Sequence, residues 1–438
     1  MKQVYDFFAS ININQLAFET GFCKRAPRKI TPDNFLLSFF HCFSNSHFSI
    51  RHWSINLSRL IGQRVSWQAI DKKIQFVKVN FIKQLFLKAC EANLNNIAGQ
   101  CIGLLTPFKR VLIQDSTLVK MPNSFYQTLS GVSNGKVKKA ITRIQSCIDL
   151  VSGKINQVEM CTYSQNDLYF SSTILDLIRP EDLILRDLGY FKISTFKEIA
   201  RAGAFFISKF KLSTSVFDNQ TGMRVELLRL LKSYDRNEIT KFDFWVTIGI
   251  KQKYLVRLCG YKVTSEQALK KRNQMISSRS NNSKLSKKAI YFCNWNIFIT
   301  NIDENTMQVM EVFKVYSLRW SIEMMFKNWK SNLKFDKVLF RSKTPNPARP
   351  EMLLYLMLLY MALIYRPVYF RIARIIKEKY NRYLSPLKFS NYLKNNYSLD
   401  AVIDSTLELD LIAKVCTYDK RSDRLNFPES LETFIFLS

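Results

Sequence analysis

Histidine is scarce in this chain: three residues in 438, at His41, His47 and His52. A Ser-His or Cys-His nucleophile beyond position 52 would need the amino-terminal segment to reach into a distant site. Chemistry there must rest on carboxylates, Lys, Arg and Tyr. The nine cysteines include no C-x-x-C pair, which argues against both a disulfide framework and a zinc ribbon. Cys42 lies among the three histidines, yet one local thiolate in an order that matches no zinc-finger spacing makes a poor metal site. Long apolar runs are missing too. The longest, Met352–Tyr365, has 14 residues, short of the roughly 20 that cross a bilayer. The amino terminus places Asp6, Asn12 and Asn14 where a secretory signal needs an uninterrupted apolar stretch. A soluble, non-exported protein without a membrane partner is expected.

Acidic residues are the other deficit. Against 35 Asp and Glu stand 65 Lys and Arg, a net charge of +30, and the natural partner of such a chain is a polyanion. With 47% hydrophobic residues large cores are affordable, and the length allows about two or three domains. No internal repeat is visible, which excludes solenoids and propellers.

Residues 1–105 read as a helical DNA-binding region. Trp53, Leu57, Leu60 and Ile61 recur at helical spacing, Gly62 interrupts, and Ser66 can cap a second helix carrying Ile70, Ile74 and Val77. Basic residues surround this possible helix-turn-helix, although simple helix packing would look the same. From residue 108 the texture changes. Arg110–Val119, Ala140–Leu150, Ile155–Thr162, Leu183–Leu185 and Phe205–Lys211 read as strands, with helices at Ser171–Ile178 and Ser194–Arg201. The order β-β-β-α-β-α-β is that of a ribonuclease-H-like α/β core, a mixed sheet with helices on its faces. Residues 106–212 form its first part, 213–302 read as a β-rich insertion, 303–345 supply a further core helix, and 346–438 are a helical carboxy-terminal region. Within the insertion, Lys270–Lys288 holds seven basic residues and no acidic one, a flexible loop able to neutralise phosphates.

Three acidic residues stand out by context. Asp115 sits inside the apolar strand Val111-Leu112-Ile113-Gln114-Asp115, where a carboxylate is costly unless a cation holds it. Asp187 ends the short strand Leu183-Ile184-Leu185 and precedes Leu188-Gly189-Tyr190, the glycine permitting a tight turn. Asp182, its competitor, caps the strand's entry. Glu323 lies on an expected helix Tyr316–Leu333, where Tyr316, Arg319, Glu323, Lys327 and Lys330 share one face. Trp320, Ile322, Phe326 and Trp329 fill the other faces, so the charged stripe must meet something polar.

The run Tyr316-Ser317-Leu318-Arg319-Trp320-Ser321-Ile322-Glu323-Met324-Met325-Phe326-Lys327-Asn328-Trp329-Lys330 fits Tyr-x2-Arg-x3-Glu-x6-Lys and so resembles the IS-four type of insertion-sequence transposases, within the DDE superfamily. Asp115-Ser116-Thr117 looks like that family's first aspartate block and Asp187-Leu188-Gly189-Tyr190 like its second. The resemblance covers about residues 108–335. It implies that Asp115, Asp187 and Glu323 are catalytic and bind two Mg2+ ions, with Mn2+ as a substitute, and hard oxygen ligands suit such ions. It further implies that Tyr316, Arg319 and Lys330 contact phosphates, with Lys327 on the same side. Trp295 stands where relatives carry an aromatic that stacks on a flipped base, against the alternative of a packed core tryptophan. The implied activity is cut-and-paste transposition through nicking, a hairpin intermediate and strand transfer. The partners are double-stranded transposon ends and target DNA, bound by a homodimer contacting through the carboxy-terminal region, and the setting is the bacterial cytoplasm at the nucleoid. The alternatives are another ribonuclease-H-like nuclease without strand transfer, and an inactive or domesticated copy that binds DNA without cutting.

Overall fold

The apolar run around Val111 builds the central strand. β1 (Arg110–Lys120) pairs antiparallel with β3 (Lys138–Asp149) on one side and parallel with β5 (Asp182–Arg186) on the other. The computed structural model describes residues 2–44, 48–92, 101, 103–133, 137–277, 286–332, 346–396 and 406–419. With β2 (Ser130–Ser133), β4 (Ile155–Thr162), β6 (Phe205–Lys209), β7 (Val216–Asp218), β8 (Lys241–Ile248), β9 (Tyr254–Lys262) and β10 (Trp295–Thr300), one mixed sheet of ten strands forms. Its order is β2-β3-β1-β5-β6-β10-β9-β8-β7, with β4 also on β3. β5 and β6 are parallel, whereas β10 runs antiparallel to β6 and continues the sheet into β9, β8 and β7. The mixed α/β class expected from the sequence is thus present, and the order and directions of β1, β3, β5 and β6 are consistent with a ribonuclease-H-like core.

Alternation decides which face each residue serves. Val111, Ile113, Leu183 and Leu185 belong to one core, shared with the amino- and carboxy-terminal helices. Leu112, Ile184 and Phe206 point the other way, toward Phe196 and Ile199 of the helix Ile193–Arg201. The segment expected as a helix at Ser171–Ile178 is a 3-10 turn, Tyr169–Asp176, and within the β-rich stretch Lys287–Phe292 forms a helix just before β10. Lys270–Lys288 is not a loop throughout: Ser265–Ser277 is helical, and residues 278–285 lie outside the described residues.

The terminal helices join one core and do not stand apart. The helix Arg349–Tyr360 is buried along almost its whole length and packs on the helix Phe76–Ala92, with the Phe86 and Tyr355 ring centroids 6.3 Å apart. The Tyr355 hydroxyl donates to the Val158 carbonyl on β4 at 2.8 Å. The helical stretch Arg349–Tyr380 is long and apolar enough to cross a membrane, but 61% of its apolar window is buried inside the fold. That is the setting of a core helix. In the amino-terminal region, the helix Ile50–Ile61 ends at Gly62, whose φ is +68°. Ser66 then caps only Trp67–Asp71. Ile74 and Val77 therefore fall beyond the second helix, and five residues are too few for the recognition helix considered above.

Candidate active site

Parallel pairing sets the carboxy-terminal end of β5 beside the middle of β1. Gln114 stands opposite Arg186, so Asp115, midway along β1, comes to lie beside Asp187, the residue that follows the last of β5. Asp187 has extended backbone and opens a 3-10 turn, Leu188–Tyr190. Glu323 arrives on the helix Trp320–Lys327, which packs against β1. The helix expected over Tyr316–Leu333 is divided: Val309–Ser317, a tight turn through Leu318 and Arg319, Trp320–Lys327, then a π-turn at Asn328–Asn332. Ile322, Phe326 and Trp329 are buried as expected. Trp320 is not, with 49% of its surface exposed.

Arg319 ties the site together. Its Nη1 donates to Asp115 Oδ2 at 2.9 Å, and its Nη2 makes a short contact to Glu323 Oε1. The Ser116 backbone N–H donates to Asp115 Oδ1 at 2.8 Å. Burial nevertheless pushes the Asp115 carboxyl up to about 6; Arg319 and the Ser116 N–H oppose the rise, while Asp187 and Glu323 add to it by repulsion. Among the described residues, the Asp187 carboxylate has no hydrogen bond or ion pair. Three acids thus sense one another while a single guanidinium serves two of them.

The other expected contacts divide into those near the acids and those turned away. Lys330 Nζ donates to Thr117 Oγ1 at 2.8 Å, two residues along β1 from Asp115. The π-turn changes the phase of the helix, which is how Lys330 comes to face the strand. Lys327 is exposed. Tyr316 is buried with its ring 5.1 Å from that of Phe298, and its hydroxyl donates to the Arg186 carbonyl at 3.3 Å. It braces the backbone just before Asp187. Trp295 is 3% exposed, on β10, with its ring 5.8 Å from that of Phe242. Here it is a packed core tryptophan, the alternative set beside base stacking above.

Two residues escaped the sequence reading. Lys209, at the end of β6, has its ammonium 5.9 Å from the Tyr316 ring centroid. Enclosure in the cleft lowers its pKa, with Asp187 and Glu323 opposing and Arg319 adding. Nothing in Phe205-Phe206-Ile207-Ser208-Lys209 marks it beyond a charge at a strand end. Asp167 lies in a turn after β4 and accepts from Ser116 Oγ at 2.6 Å, Arg143 Nη1 at 2.9 Å and Gln145 Nε2 at 3.1 Å. The sequence around it reads as an ordinary polar turn.

Carboxylate oxygens are the right donors for a hard divalent ion, and mutual repulsion at Asp115 is what a cation would relieve. The residues fit the group chemically. Among the described residues no three acids, His or Cys form a ready cluster for a metal, and the Arg319 guanidinium is the cation that Asp115 and Glu323 share. An ion would take over part of that role.

Residues 106–361 match the family described as the transposase DDE domain. Over 356 residues the chain is 27% identical to the transposase for insertion sequence element IS1151 of Clostridium perfringens, covering 77% of this chain and 74% of that protein. It is 27% identical over 376 residues to the transposase for IS231F of Bacillus thuringiensis subsp. israelensis, covering 81% and 76%. The corresponding figures for the transposase for IS231C of Bacillus thuringiensis subsp. berliner are 26% over 417 residues, 91% and 85%.

Proposed function

The chain belongs to the family of transposases with a DDE domain, and from that premise we propose that it moves an insertion sequence by metal-dependent cut-and-paste transposition. The observation that carries this reading is the approach of Asp187 and Glu323 to Asp115 on the central strand, near enough that their repulsion adds to the burial that raises Asp115 to about 6. In this reading those three residues hold Mg2+, or Mn2+ in its place. The ion supplies an activated water or 3′ hydroxyl and neutralises charge on the phosphate.

The remaining roles belong to the chain itself. Arg319 positions Asp115 and Glu323 and, once an ion shares that task, is free to pair with a phosphate, for which its planar fork is suited. Lys330, Lys327 and Lys209 add positive charge around the acids. Tyr316 holds the strand end that presents Asp187. Double-stranded DNA at the element's ends, and then target DNA, is the substrate. A net charge of +30 supplies the affinity that does not depend on sequence. Two copies acting on paired ends complete the proposal, with the carboxy-terminal region beyond the buried helix Arg349–Tyr360 as the contact.

The test is a linear fragment carrying the element's own end, incubated with Mg2+ and with EDTA. A Mg2+-dependent cut that leaves a hairpin is expected. A fragment that is bound but never cut under any divalent ion would favour the DNA-binding, non-cutting alternative, and cutting without strand transfer would favour a simple nuclease.

A further inference from the structure

We propose that Asp167 is a positioning residue that locks the two aspartate-bearing segments to each other, and that Gly189 is a glycine because Asp167 occupies the space its side chain would need. This rests on the functional reading above and adds a residue to it.

The geometry has three parts. Asp167 Oδ1 accepts from Ser116 Oγ, Arg143 Nη1 and Gln145 Nε2, which fixes the carboxylate against β1 and β3. Ser116 is the residue whose N–H holds Asp115 Oδ1. On the other side, a Cβ built on Gly189 would stand 2.8 Å from Asp167 Oδ2 and 3.0 Å from its Cβ. Such an approach needs something to move, and a carboxylate tied by three hydrogen bonds is not free to do so. Gly189 is not among the residues with positive φ, so the turn alone does not demand glycine. The close approach does.

A second strut runs in parallel. The Tyr190 hydroxyl donates to Gln145 Oε1 at 2.5 Å, and Gln145 Nε2 is one of the three donors to Asp167. Asp115-Ser116 and Asp187-Leu188-Gly189-Tyr190 are therefore joined through one carboxylate and one amide. Arg143, whose pair with Asp167 measures 2.9 Å, balances the charge of Asp167 and leaves its role structural rather than chemical. The spacing between Asp115 and Asp187 is set by this joint as well as by the parallel register of β1 and β5. Displacing a reacting group by an ångström costs on the order of 100-fold in rate.

The experiment is a double-mutant cycle of Asp167→Ala and Gly189→Ala in the full chain, reading the rate of end cleavage at saturating DNA, the DNA affinity and the melting temperature. Each single variant is expected to lose roughly ten- to 100-fold in rate while its DNA affinity stays at the wild-type value. In the Asp167→Ala background Gly189→Ala should cost clearly less than in wild type, because the colliding carboxylate is gone and only the contact with the Cβ of residue 167, at 3.0 Å, is left. Rates are compared at a temperature where circular dichroism shows every variant folded, so a loss of stability alone does not move them. Independent, multiplying losses, or a folded Asp167→Ala that cuts at the wild-type rate, would overturn the proposal. Asp115→Asn serves as the control. If it cuts as well as wild type, the functional reading fails, and the positioning role falls with it whatever the cycle gives.

Discussion

The two ends of β5 carry the same residue type in opposite circumstances. At its start Asp182 is fully buried and sealed: Arg110 grips both oxygens, at 2.9 and 2.5 Å, and the Arg179 N–H donates at 2.7 Å. Five residues later Asp187 has no such partner among the described residues, and it repels Asp115 across the strand. A matched cation and a closed surround make Asp182 part of the frame. A shortage of cation, at a partly exposed strand end, makes Asp187 part of the candidate site. What separates the two is how much positive charge the fold has already committed to each.

Arg257 and Arg319 draw the same distinction from the cationic side. Arg257 is fully buried, bound to both oxygens of Asp243 and donating to the carbonyls of Ile302 and Met307. Its hydrogen bonds are spent inside the protein. Arg319 divides its guanidinium between Asp115 and Glu323, and the Glu323 side chain is 44% exposed. An arginine that can exchange one carboxylate for another anion is a useful neighbour for a phosphate, and a fully enclosed one is not.

Disabling the open end should give the largest effect. Glu323→Ala is expected to lower end cleavage by about 1,000-fold or more, the scale on which removal of a catalytic group is felt, with the melting temperature close to wild type. Breaking the sealed end should do the reverse. Asp182→Asn leaves Arg110 without its ion pair and is expected to cost about 3 kcal/mol in urea unfolding, while cleavage in the cold, where the variant stays folded, remains near the wild-type rate.

A smaller effect tests the burial of the carboxylate beside its neighbours. The folded chain holds the Asp115 carboxyl at about 6, above its ordinary 3.8, so folding favours the protonated form. The associated stability is fully present below about pH 4 and is lost as pH rises through about 6, some 2–3 kcal/mol in all. Unfolding in urea and EDTA should show that loss in wild type, and Asp115→Asn should remove it. The smallest effect is expected from Tyr316→Phe. If the hydroxyl only braces the Arg186 carbonyl, its removal costs about 1 kcal/mol and less than tenfold in cleavage. A much larger loss of cleavage, with stability unchanged, would return Tyr316 to the phosphate contact that the sequence motif implies.

Much of the sheet was legible because its strands are apolar runs closed by turns: β1, β3, β4, β5 and β6 fall within a few residues of their expected bounds. Asp115 and Asp187 stood out because a charge in or beside such a run is conspicuous, and Glu323 because it belongs to the charged stripe of an otherwise apolar helix. The rest depends on distance across the fold, which spacing does not encode. Trp295 and Trp320 look alike in sequence, yet one lies in the core against Phe242 and the other is half exposed. Asp167 carries no local mark at all, and the reason for Gly189 became visible only with Asp167 beside it. The division of the Glu323 helix was hidden as well, since Leu318 and Arg319 are both compatible with a helix and the turn there comes from packing.

Cleavage of an end-bearing fragment by Asp187→Asn and Asp182→Asn, side by side in Mg2+ and in EDTA at a temperature where both are folded, tests the account most directly. It predicts that Asp187→Asn binds the fragment and fails to cut it, while Asp182→Asn cuts in Mg2+ and stops in EDTA. Wild-type cutting by Asp187→Asn would contradict it.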